Sequence, residues 1–333
     1  MRFSKLTTLF LCCTLTAAPV RLIFDTDMGN DVDDAVALAI IHALESRGEA
    51  KLLAVTITKD NRWAAPFVDL MNTFYGRGGI PIGIVHAGKT PEDSNMIRQP
   101  AERKRADGSF VYPRHLVDGR QAPEAVGVLR RVLAREADGG VVIVQVGFST
   151  NLARLLDSKA DEASPFSGLE LAKRKVRLLS IMGGAFPEGK PEYNIETDIP
   201  AAKRLFAQWP GTIVTSGYEI GNKVLYPAAS ILKDYSYAED HPLAEAYRDY
   251  MKMPYDRPMW DPTATLYAVR PDSFSLSPPG VITVDEKGRT HFAADTSGRH
   301  HYLIATPEQN DAAVRAIIEL ASRPPDRLVP NRR

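Results

Sequence analysis

Cysteine is all but missing: Cys12 and Cys13 are the only two in 333 residues, and both fall within the first 18. There Arg2 and Lys5 precede an apolar run, Leu6 to Ala18, which ends in small residues before Pro19. A charged start, an apolar middle and a small-residue end read as a secretory signal peptide. The expected organisation is therefore a leader over 1–18 and a single domain over 19–333, secreted or periplasmic. A mature chain of that kind contains no thiol, which excludes disulfides and cysteine-metal sites. Lipid attachment is disfavoured by the bulky Phe10-Leu11 pair just ahead of the cysteines. A membrane-length apolar run is also lacking, since about a dozen residues fall short of the roughly 20 that a spanning helix needs. No stable membrane insertion is expected once the leader is removed. Net charge is the third absence. With 41 basic and 41 acidic residues, no overall field recruits nucleic acid or an anionic surface, and the expected partner is a small molecule.

What is present is core. The chain is 44% hydrophobic, too apolar for disorder, and it carries neither an internal repeat nor a composition shift that would divide it. The branched run Val20 to Phe24 predicts a buried strand, and Ala35, Val36, Leu38, Ala39, Ile40 and Ala43 predict a helix straight after it. The alternation continues through strands 52–58, 141–146, 176–182 and 212–216, with helices at 66–75, 123–136, 151–156 and 200–208. Short apolar strands alternating with amphipathic helices indicate an α/β fold: an open, mostly parallel sheet with helices on both faces and a Rossmann-like core. Ligands of such sheets bind at the carboxyl ends of the strands. A C-terminal β-hairpin is predicted from 281–284 and 290–292, and a closing helix from 308–322. The charged, proline-bearing stretch Lys89 to Asp118 is expected to be a long surface excursion, a candidate flap over the site.

The strongest chemical signal is Asp25-Thr26-Asp27-Met28-Gly29-Asn30-Asp31-Val32-Asp33-Asp34, five carboxylates in ten residues where a central strand meets a helix. Carboxylates crowded at a buried position repel one another and are costly to desolvate. A solvated acidic loop would avoid that position; a bound cation removes the conflict. Oxygen-only ligands select a hard metal, calcium ahead of magnesium, over zinc.

Five segments in order carry a family resemblance. Ile23 to Gly29 with Asp33-Asp34-Ala35 resembles the N-terminal signature of the inosine-uridine-preferring nucleoside hydrolases, which are calcium-dependent ribonucleoside hydrolases. Val55 to Asn61, Val146 to Ala153, Met182 to Ala185 followed by Glu192-Tyr193-Asn194, and Trp260-Asp261-Pro262 are similar to later motifs. Together they span about residues 20 to 270. The resemblance implies a nucleoside hydrolase-like fold. It implies hydrolysis of the N-glycosidic bond of ribonucleosides or related ribosides, with Asp27 as general base. It implies calcium held by Asp27, Asp34, Asp261 and the Val146 carbonyl, and substrate held by Asp33, Asn61, Met182, Glu192, Asn194 and Trp260. It leaves room for a homo-oligomer.

The pattern departs from the family in three places. Three residues, Asn30-Asp31-Val32, separate Gly29 from Asp33 where the family commonly has one, which leaves Asp31 a second candidate for the role of Asp33 or Asp34. Trp260 stands where some members carry a histidine that protonates the leaving base. That role is unassigned, with Tyr255, Asp256 and Tyr218 as candidates and Trp260 as a ring able to stack on a purine. No asparagine occurs between Gly184 and Glu192. Elsewhere Glu219 is a candidate pocket residue, while His300-His301 read as structural or surface groups because neighbours on a strand face opposite ways. Two other readings stand beside this one. A haloacid-dehalogenase-type phosphatase also opens with Asp-x-Asp but has threonine or valine where Gly29 is found, and a calcium-dependent ribose-binding protein without turnover would not need the base Asp27.

Overall fold

A computed structural model describes residues 18–187 and 189–328. The predicted leader, apart from Ala18, and both cysteines lie outside the described residues. Ten strands form one sheet. In chain order they begin β1 (Val20–Thr26), β2 (Ala50–Lys59), β3 (Ile82–Lys89), β4 (Val141–Gln145), β5 (Val176–Met182) and β6 (Ile213–Ser216). A small separate ribbon pairs β7 (Leu225–Tyr226) with β8 (Arg257–Pro258). The sheet ends with β9 (Ser275–Leu276), β10 (Gly280–Val284), β11 (Thr290–Ala294) and β12 (His300–Ile304).

The order β11-β10-β12-β6-β5-β4-β1-β2-β3, with β9 beside β12, puts β1 inside the sheet between β4 and β2, third from the β3 edge. From β12 through β6 to β3 the pairings are parallel. The predicted hairpin is present as the antiparallel pair β10 and β11. Apolar clusters on the two faces bury the sheet, as a parallel sheet requires. No helix among the described residues is long and apolar enough to cross a membrane.

The helix Asp33–Ser46 fixes the site. Its residues from Asp33 to Leu44 are all buried, because helices Trp260–Val269 and Pro307–Ala321 pack against it as the sheet does on its other side. A helix enclosed on every side is apolar all round and has no polar stripe. The same reason hides helix Trp260–Val269 from a periodicity reading, and that helix brings Asp261 to the centre.

The expected flap over residues 89–118 is corrected by the structure. Helix Asn95–Glu102 lies within it, with Met96, Ile97 and Ala101 fully buried and packed on helix Pro242–Tyr250. A Cβ on Gly29, whose φ is +112°, would stand 2.5 Å from the Ile97 side chain. The segment is thus a buttress behind the acidic turn, and its amphipathic helix was obscured by its charges and by Pro100.

Candidate active site

β1 ends by turning into helix Asp33–Ser46, and the turn hydrogen-bonds to itself. Thr26 Oγ1 donates to Asp34 and accepts from the Met28 N–H. Asn30 Nδ2 donates to Asp27 Oδ2 at 2.8 Å, while its amide oxygen accepts from the buried Lys59 ammonium at 2.7 Å. Asp33 Oδ2 accepts from the backbone N–H groups of Trp260 and Asp261 at 3.0 and 3.1 Å. One turn therefore both offers carboxylates and anchors the start of the helix bearing Asp261. The close approach of β4 is set by Gly147, where a Cβ would stand 2.5 Å from the Asp27 nitrogen.

A cavity of about 420 Å³ opens at the carboxyl ends of β1, β4 and β5, where ligands of such sheets bind. Its polar end is walled by Asp27, Asp33, Asp34, Val146, Met182, Glu192, Asn194 and Asp261, its aromatic end by Tyr218, Tyr250 and Trp260. Ligand oxygens of Asp33, Asp34 and Asp261 lie within 4.8 Å of one another. Burial first, then the mutual repulsion of neighbouring carboxylates, holds the carboxyls of Asp34 and Asp261 well above the ordinary range; Asp33 is raised by burial and by Asp31. Burial lifts Asp27 to about 6, against the Asn30 hydrogen bond and the Lys59 charge. Buried acids so close together could hold a divalent cation, whose charge would offset both the burial and the repulsion. In the same cavity Glu192 caps the short helix Tyr193–Thr197, accepting from the Gly184 and Asn194 N–H groups, and burial raises it to about 7. Asn194 Nδ2 donates to the carbonyls of Val146 (2.7 Å) and Met182 (3.2 Å), which leaves its amide oxygen as an acceptor.

Residues 22–323 match the family model for inosine-uridine preferring nucleoside hydrolases. The chain belongs to that family. It is an N-glycosyl hydrolase acting on ribonucleosides. This nucleoside hydrolase is similar to the pyrimidine-specific ribonucleoside hydrolase RihA of Enterobacter sp. (strain 638), with 28% identity over 283 residues that cover 76% of this chain and 80% of that protein. Its fold is like that of the plant nucleoside hydrolase PpNRh1, with TM-score 0.65 and 23% identity over 92% of this chain and 100% of that one. It is also like the inosine-uridine preferring nucleoside hydrolase of Bacillus anthracis, with TM-score 0.66 and 19% identity over 91% and 99% of the two chains.

In this nucleoside hydrolase nine of the ten predicted site residues, contributed by positions from Asp27 to Asp261, reach one cavity. Asn61 does not. Its Nδ2 donates to the carbonyls of Pro91 and Glu92 and to Asp93, and its oxygen accepts from the Trp63 N–H, so its capacity is spent on tying down a loop. Asp31 lines the cavity but pairs with Arg257 and stands outside the trio of acids, Asp33, Asp34 and Asp261, whose oxygens lie closest together. Two candidate proton donors are engaged elsewhere. Tyr255 donates to the Tyr247 carbonyl, and Asp256 accepts from the Ala228 N–H. Glu219 accepts from the Phe186 N–H beneath the 184–192 loop instead of lining the pocket. His300 accepts from the Ile282 N–H, and His301 pairs with the Ser277 carbonyl, both as structural groups. Sequence reasoning missed Asn30, Lys59, Tyr250 and Arg257. Only Asn30 had a local signal, its place inside the acidic turn.

Proposed function

We propose that this hydrolase cleaves ribosides by direct attack of water on the anomeric carbon, with Asp27 as general base and without a covalent intermediate. The observation carrying this reading is that Asp27, Asp34, Asp261 and Val146 line one cavity together with Glu192 and Asn194, the Asn194 amide donating to the Val146 carbonyl. The donors are all oxygens, several of them carboxylates, which favours calcium over magnesium. When bound there, a calcium ion supplies Lewis acidity toward water and ligand positions for two vicinal hydroxyls.

The chain's own groups do the rest. Asp27, steadied by Asn30, takes the proton of the attacking water at its carboxylate. Glu192 and Asn194 accept from ribose hydroxyls, and Asp33 reaches them with the oxygen it does not use on the backbone. That grip aligns the anomeric carbon with the water. Surrounding carboxylates favour the positive charge that builds on the sugar as the base departs. Met182 packs beneath the ring, and the base lies at the aromatic end against Trp260, whose ring stacks on Tyr218 at a centroid distance of 5.6 Å.

The test is a panel of ribonucleosides and simple ribosides, incubated with purified protein with and without a calcium chelator, with free ribose measured. Release of ribose that stops on chelation, together with a loss of about 10²-fold or more in Asp27→Ala, is the expected result. Undiminished turnover by that variant would overturn the assignment of the base.

A further inference from the structure

The cavity is strongly one-signed. Six acidic side chains line it, Asp27, Asp31, Asp33, Asp34, Glu192 and Asp261, and among its described lining residues Arg257 is the single basic one and none is a histidine. Arg257 belongs to β8 of the small ribbon, opposite Tyr226. Its guanidinium forks onto Asp31, through Nε to Oδ1 at 3.1 Å and through Nη2 to Oδ2, and Nη2 also donates to the Tyr250 hydroxyl at 3.1 Å. The Cζ atom lies 5.1 Å from the ring centroid of Trp260 and 5.2 Å from that of Tyr250. An ion pair and two aromatic faces thus hold the cation at the aromatic end. Both partners of this arrangement fall where the sequence departs from the family pattern: Asp31 in the lengthened turn, and Arg257 beside the tryptophan that replaces a histidine.

We propose that Arg257 stabilises the departing base, and that Asp31 positions it for that purpose. The inference rests on the reading above that sugar occupies the acidic end and base the aromatic end. When the glycosidic bond breaks, its electron pair passes to the base nitrogen while oxygen from water bonds to the anomeric carbon and the water's proton goes to Asp27. A guanidinium does not give up its proton near neutrality. The base therefore leaves as an anion hydrogen-bonded by Arg257 and is protonated afterwards by solvent, and the proton on Asp27 returns to solvent. Nη1, which takes no part in the Asp31 fork, is the donor left for the base. The energetic logic is that of a donor aimed where negative charge develops.

The measurement is kcat/KM on a nucleoside, whose base is a poor leaving group, and on p-nitrophenyl β-D-ribofuranoside, whose leaving group is good. Arg257→Gln is expected to lose about 10²-fold on the nucleoside and less than about fivefold on the nitrophenyl riboside, with Arg257→Lys recovering part of the nucleoside activity. Because Arg257→Gln leaves Asp31 unpaired, the Asp31→Asn/Arg257→Gln double variant guards against a folding defect and is expected to show the same selective loss. Equal losses on both substrates, or no loss on either, would overturn this proposal while leaving the hydrolase reading intact. A parent enzyme inert toward both substrates would instead overturn the underlying reading.

Discussion

A buried side chain spends its hydrogen bonds once, and Asn61 shows the consequence. In sequence it sits at the end of β2, where a contact with sugar is a reasonable expectation. Its partners are 30 to 32 residues away at Pro91, Glu92 and Asp93, and nothing local announces them. By contrast, the acidic turn was legible because its conflict is local: carboxylates crowded at the buried end of a strand imply their own solution. The expected outcome for Asn61→Ala is a loss of about 1–3 kcal/mol in urea unfolding, the cost of orphaned buried partners, with kcat and KM within about threefold of the parent. A rise in KM at unchanged stability would return Asn61 to the sugar site.

Among the elements, the meeting of β1 and β4 positions Asp27, the proposed base. Gly147 lies two residues past the end of β4, and a Cβ there would stand 2.4 Å from Thr58 Oγ1 and 2.7 Å from the Thr26 carbonyl carbon, as well as against the Asp27 nitrogen. Backbone cannot yield as a flexible side chain does, so Gly147→Ala must push β1 and Asp27 aside. Misplacement of a reacting group by about 1 Å costs on the order of 10²-fold. A drop of about tenfold or more in kcat is therefore expected, with the far-UV circular dichroism spectrum preserved; parent-like turnover would show that the turn absorbs the methyl group. Most of the strands and helices around this junction were readable from period and branching. The stretch from Tyr218 to Leu276 was not, because its two-residue strands are too short to show alternation and helix Trp260–Val269 is enclosed on all sides. That stretch carries Tyr250 and Arg257, which explains why the leaving-group end of the site was the part left unassigned.

Over the whole molecule, acid stability is a contest between two buried populations. Burial raises Asp25 and Glu192 to about 7; the native state binds more protons than the unfolded chain from about pH 4 to pH 7, so these groups add stability as pH falls through that window. Burial lowers His42 and His241 to about 3. For them the unfolded chain binds more protons below about pH 6.5, so their contribution is lost as pH falls. His42 can be isolated. Its Nε2 lies 2.9 Å from Asn72 Oδ1, and His42→Gln keeps a polar group there without the titration. The stability advantage of the parent over this variant is expected to shrink by about 1.4 kcal/mol for each pH unit below about 6, measured by urea unfolding at pH 7, 6 and 5. A constant gap would mean that His42 takes up its proton alike in the folded and unfolded chains.

The terminal hairpin has a bearing on synthesis. Thr290 of β11 accepts from the Ala185 N–H and donates to the Ala185 carbonyl, and Arg289 bridges to Pro191, so the loop that presents Glu192 is clasped by residues made a hundred positions later. A ribosome that has released the first two hundred residues has delivered Asp27, Asp33, Asp34, Glu192 and Asn194, yet neither Asp261 nor the clasp. The cavity is consequently incomplete until the chain is nearly finished, and its last wall arrives with the final segments.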